Sequence, residues 1–103
     1  MEEIYLTDCV GFDWDSGNQV KNQEKHNVST GECEEIFFNQ PLLLHEDVKH
    51  SKREQRFYAL GKTNFEKRLF IAFTIRNNFI RIISARPMSK KERSTYEKTK
   101  EST

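Results

Sequence analysis

Hydrophobic residues follow a helical period before residue 54 and a strand period after it. A short strand is predicted over residues 10–15, with Asp15 or Ser16 capping a weak, polar helix over 16–27, where Val20 is the only strong apolar anchor. A second helix is predicted after Ser29, because Ser29 and Glu32 have the spacing of a capping box. Its apolar stripe, at helical spacing, consists of Cys33, Ile36 and Phe37. The N-terminal half is therefore predicted to hold two helices.

Alternating residues predict three strands, over 54–62, 68–76 and 79–86, and residues 42–44 are a candidate for one more short, buried strand. Asn77-Asn78 predicts a two-residue hairpin turn, because asparagine tolerates positive φ. A second capping box, Ser89 with Glu92, begins a C-terminal helix that is expected to end near Lys98. The predicted fold is α+β: a small antiparallel sheet of three to four strands with two N-terminal helices and one C-terminal helix.

The two-residue turn sets which side chains of the last two strands share a face. The pairs expected on the core face, which should also carry the helices, are Ile75 with Ile80, Phe73 with Ile82, and Ile71 with Ser84. The pairs expected on the other face are Arg76 with Phe79, Thr74 with Arg81, and Ala72 with Ile83. The second face is therefore predicted to be mixed and to hold arginines.

The preceding strand extends this mixed face if Phe57 and Ala59 join the core. Glu54, Arg56 and Tyr58 would then point to the mixed face. A row of Arg56, Thr74 and Arg81 would cross three strands, with Glu54 beside Arg76. Guanidinium groups suit phosphate oxygens, but cross-strand ion pairs on a solvated face also explain this pattern, and a slip of one residue would send Arg56 to the core.

The charges of this single 103-residue domain are separated along the chain, although the net charge is only +1. Residues 1–48 carry two Lys/Arg against eleven Asp/Glu, whereas residues 49–103 carry fifteen against five. A basic half is a precondition for binding a polyanion, but the two halves can also simply neutralise each other. Residues 97–103 are expected to form a mobile tail.

Several function classes lack support in the sequence. No apolar stretch is long enough for a transmembrane helix and no secretory h-region is present, so we expect a cytoplasmic protein. Cys9 and Cys33 fit neither a disulfide framework nor a zinc site and are expected to be packing residues. The three histidines, His26, His45 and His50, have no metal-ligand spacing, so neither a metal nor another cofactor is expected.

Six short motifs, in order from residue 12 to 97, resemble the BrnT family of bacterial toxins. They are Phe12-Asp13-Trp14-Asp15; Lys25-His26-Asn27-Val28-Ser29, in which Asn27 replaces a glycine; Glu35 to Pro41; Glu54-Gln55-Arg56-Phe57 with Gly61; Phe73-Thr74 with Ile80 to Arg86; and Glu92-Arg93 with Tyr96-Glu97. Each motif is weak alone, and their order and spacing carry the resemblance. Asn27 can still adopt the left-handed conformation that a glycine would take.

The resemblance implies a RelE-like fold and an endoribonuclease that inhibits translation as the toxin of a type II toxin–antitoxin pair. It also implies a BrnA-like antitoxin with a ribbon-helix-helix fold, bound in a hetero-oligomer that we expect to be 2:2. Operator DNA would be contacted only through that antitoxin. The RNA substrate and the antitoxin are the expected partners, and no membrane is.

Cleavage of RNA without a metal requires a base near the 2′-hydroxyl, an acid near the leaving oxygen and cations around the phosphorane. His26 is a candidate acid or base, or else a helix cap, and Glu54 is a second candidate base, or else an ion-pair partner of Arg76 or Arg56. Tyr96 either orients the nucleotide or packs its helix on the sheet. The candidates for binding phosphate are Arg56, Arg76, Arg81 and Arg86, of which Arg86 needs a bulge or the strand end to share the face of Arg81.

Lys25, Thr74, Lys90, Lys91 and Arg93 are further candidates for contacting RNA. Two other classes remain open at this point. One is a nucleic-acid-binding protein that uses the basic face without cleaving, and the other is a module that only binds a neighbouring protein.

Overall fold

The structure, a computed structural model, describes Leu6, residues 8–15, Lys21 and residues 23–101, with side chains up to residue 99. The strands are β1 (Gly11–Asp13), β2 (Leu43–Glu46), β3 (Phe57–Lys62), β4 (Arg68–Arg76) and β5 (Phe79–Pro87). The helices are α1 (Thr30–Glu35) and α2 (Lys90–Glu101), with 3-10 turns at Ile36–Phe38 and Val48–His50. Residues 23–26 are also helical, while Ser16 and Val20 of the predicted first helix lie outside the described residues.

The five strands form one sheet in the order β1-β5-β4-β3-β2. The predicted number of strands, three to four, was therefore too low. The predicted antiparallel arrangement was also incomplete, because β1 runs parallel to β5 and the sheet is mixed. The predicted strand at 42–44 is β2, displaced by one to two residues. It is half-buried rather than buried, because β2 is an edge strand with a neighbour on one side only.

The turn between β4 and β5 has the predicted form. Asn77 and Asn78 have φ angles of 51° and 67°, the positive values that a two-residue hairpin of this kind requires. The register that follows from this turn is confirmed nearest to it, where Ile75 pairs with Ile80, Thr74 with Arg81, Phe73 with Ile82 and Arg76 with Phe79.

Beyond Phe73 the register of β4 and β5 shifts by one residue. Ala72 pairs with Ser84 and Ile71 with Ala85, so the predicted pairs Ala72 with Ile83 and Ile71 with Ser84 were wrong. Ile83 has no partner in this ladder, which is the signature of a β-bulge. The extra residue reverses the alternation of β5, so Ala85 is buried in the core and Arg86 moves to the face of Arg81.

Helices pack on both faces of the sheet, whereas the prediction placed them all on one. The buried Cys33 and Ile36, from α1 and the 3-10 turn after it, join Ile71 and Phe73 in the main core. Gly61 permits this approach, because a Cβ atom there would lie 3.0 Å from Ile36. Helix α2 covers the opposite face at one end, where the side chains in contact are Tyr96, Leu60, Met88, Leu43 and Phe70. Leu60 and the aromatic residue Phe70 form an apolar patch on the face that strand alternation predicted to be mixed.

Both predicted capping boxes are present. The Glu32 backbone N–H donates to Ser29 Oγ at 3.1 Å, and the Ser29 N–H donates to the Glu32 carboxylate at 3.0 Å. Ser89 and Glu92 make the equivalent bonds at 3.2 and 2.8 Å. Helix α2 extends to Glu101, beyond the predicted end near Lys98, so the first residues of the expected tail are helical.

Neither thiol is arranged for reactivity. Cys33 is fully buried, and burial raises its pKa to about 12, so it is a packing residue. Burial, and secondarily the charge of Asp8, also raises the pKa of Cys9. Both cysteines are free. In the described part of the chain, no helix is long and apolar enough to cross a membrane.

Candidate functional site

Glu54 and Arg76 form a two-point ion pair at the end of β4, as predicted, although β3 begins at Phe57 and Glu54 therefore lies before the strand instead of within the predicted range 54–62. Arg76 donates from Nε to Glu54 Oε2 and from Nη2 to Oε1, the second bond measuring 3.1 Å. The hydrogen bond from Arg76, aided by the charges of Arg76, Arg81 and Arg56, lowers the pKa of Glu54. The same contact raises the pKa of Arg76. Glu54 is therefore ionised at neutral pH and, while paired, is a weak base.

Arg81 is held by two carboxylates from β1 and the residues after it. Asp13 pairs with Arg81 in the parallel ladder, and Arg81 Nη1 donates to Asp13 Oδ2 at 3.1 Å. Asp15 Oδ2 lies 3.7 Å from Arg81 Nη2. The parallel docking of β1 thus brings two acidic side chains next to the predicted arginine face.

Three arginines and three carboxylates meet at this end of the sheet, and we call them the charge cluster: Asp13, Asp15, Glu54, Arg56, Arg76 and Arg81. An open cleft of about 470 Å³ runs beside it, lined by Phe12, Asp13, Arg76, Asn77, Phe79 and Arg81. The cluster has no net charge when all six groups are ionised. Arg76 and Arg81 therefore bind an external anion by exchanging one of these carboxylates for it.

Arg56 is the member of the cluster least committed to a partner. It precedes β3, and its charge acts on Glu54. Within the described residues, no carboxylate lies within ion-pair distance of its guanidinium group. The neighbouring loop adds the exposed cations Lys49, Lys52 and Arg53. This side of the cluster is therefore the more positive.

Thr74 lies below the cluster rather than on its surface. It is 1% exposed, and its hydroxyl donates to the carbonyl of Gln55 at 2.7 Å. This bond ties the segment that carries Glu54 and Arg56 to β4. A buried hydroxyl with its proton already donated suits a positioning role better than a direct contact with RNA.

Arg86 shares the face of Arg81, because the bulge at Ile83 provides the change of parity that the sequence required. It lies near the other end of β5, however, and binds both oxygens of Glu92 at 2.7 and 2.9 Å. The hydrogen bonds to Glu92 raise the pKa of Arg86 and lower that of Glu92. Arg86 is therefore outside the charge cluster.

His26 is far from the charge cluster. It is exposed at the end of the helical residues 23–26, and Asn27 follows with the left-handed φ of 54°. The carbonyl of Asn27 accepts a bond from Lys67 Nζ at 2.6 Å, which places this segment at the start of β4. Arg76 is at the other end of this strand, whose two ends are about 26 Å apart at the usual rise per residue. Lys25 lies beside His26 and is likewise exposed.

Tyr96 is fully buried, and its hydroxyl donates to the carbonyl of Pro41 at 2.7 Å. It packs α2 on the sheet, and burial raises its pKa. Lys90, Lys91 and Arg93 are exposed on the first turns of α2. They face solvent near Arg86, away from the charge cluster.

Asp13 and Asp15 are the cluster members that sequence reasoning missed, since it considered Asp15 only as a helix cap. Their spacing of two residues in a predicted strand was a usable signal, because it places both on one face. Their proximity to Arg81 was not predictable without the pairing of β1 and β5. No group of three or more His, Cys, Asp or Glu with metal-binding geometry occurs among the described residues.

The fold and the charge cluster define a small α+β protein with an arginine–carboxylate site on an open sheet face. Comparison with protein-family models matches residues 14–92 to the ribonuclease toxin BrnT of type II toxin–antitoxin systems. Because the match covers most of the chain, the protein belongs to the BrnT family of ribonuclease toxins. None of the curated proteins compared with the chain matches it.

Proposed function

We propose that this toxin is an endoribonuclease that cleaves RNA without a metal ion at the charge cluster, and so inhibits translation. The observation that carries the proposal is the convergence of Arg56, Arg76 and Arg81 with Glu54 beside an open cleft. Guanidinium groups bind phosphate in two-point geometry and stabilise the charge that develops on a phosphorane. Among the candidates from the sequence, these four residues form one site.

In the proposed reaction, the 2′-hydroxyl attacks the adjacent phosphorus and the bond to the 5′-oxygen breaks, leaving a 2′,3′-cyclic phosphate. Glu54 takes the proton of the 2′-hydroxyl, and the 5′-oxygen takes one from an acid or from water. Because the pKa of Glu54 is lowered by Arg76, the free protein holds this base in a weak form.

Substrate binding would make Glu54 a stronger base. A phosphate that takes the hydrogen bonds of Arg76 removes them from Glu54, so the pKa of the carboxylate rises toward its ordinary value. In the same way, a phosphate that takes the hydrogen bonds of Arg81 displaces the carboxylates of Asp13 and Asp15. In this scheme the carboxylates keep the arginines ordered until RNA arrives, and Thr74 keeps Glu54 and Arg56 in position.

A type II toxin has a cognate antitoxin. We infer that the antitoxin is BrnA-like, has a ribbon-helix-helix fold, binds in a 2:2 complex and alone contacts operator DNA. The RelE-like fold and a cytoplasmic location belong to the same proposal. They rest on the family membership and not on a contact within this chain.

Digestion of RNA by the purified protein in excess chelator, with end-group analysis of the products, tests the proposal. We expect cleavage to leave 2′,3′-cyclic phosphate ends and Arg81→Ala and Arg76→Ala to reduce it at least 100-fold. Arg68→Gln is the matched control, because Arg68 lies on β4 but pairs with Glu97 at the far end. It should cleave like the wild type.

Two results would contradict the proposal. Binding of RNA without any cleavage would assign the cluster to a non-catalytic binding function. A loss of cleavage in His26→Ala, with full cleavage in Arg81→Ala, would move the catalytic site to the opposite end of the sheet. Growth arrest on expression of the same folded variants provides an independent readout.

A further inference from the structure

A row of stacked side chains crosses four strands on the face opposite the main core. The Arg86 guanidinium lies 4.1 Å from the centre of the Phe70 ring. Phe70 stacks on Tyr58, with ring centres 5.4 Å apart, and Tyr58 stacks on His45 at 5.2 Å. The two interplanar angles are 23° and 27°. We call these four residues the ring stack.

Strand register explains why the ring stack forms. Arg86 pairs directly with Phe70, and His45 pairs directly with Tyr58. Phe70 and Tyr58 meet diagonally, because Tyr58 is opposite the small side chain of Ala72. The bulge at Ile83 is essential, since without it Arg86 would point into the core.

The ring stack forms the floor of a groove of about 380 Å³, whose wall is the first part of α2. The wall residues are Lys91, Glu92 and Thr95, and Leu60 and Asp47 complete the lining. The hydroxyl of Tyr58, the ring nitrogens of His45 and the ammonium of Lys91 have no hydrogen-bond or ion-pair partner within the described residues. The groove therefore combines aromatic surface with polar groups that are available to a ligand.

We propose that this groove binds a nucleobase of single-stranded RNA, as a subsite separate from the charge cluster. Proteins bind single-stranded nucleic acid by stacking bases on aromatic side chains beside cations that contact the phosphates. The ring stack ends at His45, which is exposed on the edge strand β2, so a base has access to the terminal ring. Lys91 supplies a cation in the wall of the groove, while Tyr58 and His45 offer hydrogen bonds to the base edge.

The position of the groove suits one continuous substrate. Arg81 and Arg86 lie on the same face of β5, about 15 Å apart at the usual rise per residue, and His45 at the other end of the ring stack is three strands from β5, about 14 Å across the sheet. A strand cleaved at the charge cluster would thus reach the groove with nucleotides next to the cut. The inference rests on the proposed function, because it takes RNA to be the substrate.

The test is the affinity of the full-length toxin for 2′-O-methyl RNA, which binds but cannot be cleaved because its attacking hydroxyl is blocked. Fluorescence anisotropy would compare a normal oligonucleotide with one that lacks bases at its central positions. His45→Ala and Tyr58→Leu remove ring surface, whereas His45→Phe restores a ring. Phe65→Leu is the control, since Phe65 is 93% exposed in the turn between β3 and β4.

We expect the wild type to bind the normal oligonucleotide more tightly than the base-free one. His45→Ala and Tyr58→Leu should weaken binding of the normal oligonucleotide about 5- to 100-fold and leave binding of the base-free one unchanged. His45→Phe should recover most of the affinity that His45→Ala loses, because it restores the ring, and Phe65→Leu should behave like the wild type. Unchanged affinity in folded His45→Ala and Tyr58→Leu would overturn the proposal, as would a wild type that does not distinguish the two oligonucleotides.

Failure of this inference is distinguishable from failure of the proposed nuclease. Cleavage of ordinary RNA with no effect of the ring variants on binding would refute the groove alone. Base-dependent binding by the ring stack without cleavage would refute the nuclease alone. Normal RNA binding combined with lost neutralisation by the antitoxin in His45→Ala and Tyr58→Leu would assign the groove to the antitoxin, and would also overturn the inference.

Discussion

Thr74 and Thr63 are two buried threonines at opposite ends of the sheet, and together they test whether the charge cluster depends on its support. Thr74 is 1% exposed and Thr63 2%. Thr74 donates to the Gln55 carbonyl at 2.7 Å, whereas Thr63 Oγ1 accepts from the Lys67 N–H at 3.0 Å. Valine has nearly the shape of threonine, so Thr74→Val and Thr63→Val each remove one hydrogen bond with little change in packing.

The stability cost should be similar for the two variants. One neutral hydrogen bond contributes about 0.5–1.5 kcal/mol to the free energy of unfolding. In a domain of this size that corresponds to a fall in Tm of about 4–8 °C per kcal/mol. Chemical denaturation and thermal melting measure both values.

The effect on activity should differ. Thr74→Val frees the segment that carries Glu54 and Arg56, and small misplacements of catalytic groups are costly. At an assay temperature well below Tm, we expect kcat/KM for RNA cleavage to fall about 10-fold in Thr74→Val. The reason is that the position of the Glu54 carboxylate relative to the 2′-hydroxyl is then less defined. Thr63→Val should cleave like the wild type.

Equal activities of the two variants would refute this reasoning. If both cleave normally, the bond from Thr74 contributes stability only, and Glu54 and Arg56 are positioned by other contacts. If both lose activity in parallel with stability, the loss reflects unfolding. A selective loss in Thr63→Val would place the active site at the end of the sheet that holds Lys67 and His26.

Three further predictions concern single positions. The hydrogen bond from Arg76 lowers the pKa of Glu54 in the folded state. The ion pair therefore stabilises the protein at pH values above 4.5, the ordinary pKa of a glutamate, and this stabilisation is lost as the pH falls through the lowered pKa. The stability difference between wild type and Glu54→Gln, measured by denaturation across pH, should therefore be largest near neutrality and shrink in acid; a constant difference would contradict the assignment. Cys33 has a pKa raised to about 12 by burial, so a thiol reagent should leave it unmodified in the native protein, and Cys33→Ser should cost about 1–3 kcal/mol by burying a hydroxyl. Asn78 has a φ of 67°, so Asn78→Val should lower the free energy of unfolding by about 1–2 kcal/mol while Asn78→Gly leaves it nearly unchanged; equal losses in both would show that its side chain matters instead.

Local features of the fold were predictable from the sequence because their causes lie within a few residues. Ser29 and Ser89 cap their helices through bonds that span three positions. Asn77-Asn78 fixes the hairpin, and with it the register nearest the turn. The contact between Glu54 and Arg76 was expected from strand alternation together with an assumed pairing of the preceding strand with β4, so four of the six members of the charge cluster were candidates in advance.

Only the tertiary structure shows the other features of the site. The interactions behind them either join segments that are distant in the chain or do not change the alternation of apolar and polar residues. Asp13 reaches Arg81 only through the parallel pairing of β1 with β5, across 68 residues of chain. The bulge at Ile83 was hidden because its neighbour Ile82 is also apolar, so either isoleucine fitted a core position. That one extra residue turns Arg86 onto the ring stack. The sequence by itself thus determined most of the elements, the helix caps and the hairpin turn, whereas packing between the elements determined which charged and aromatic side chains meet.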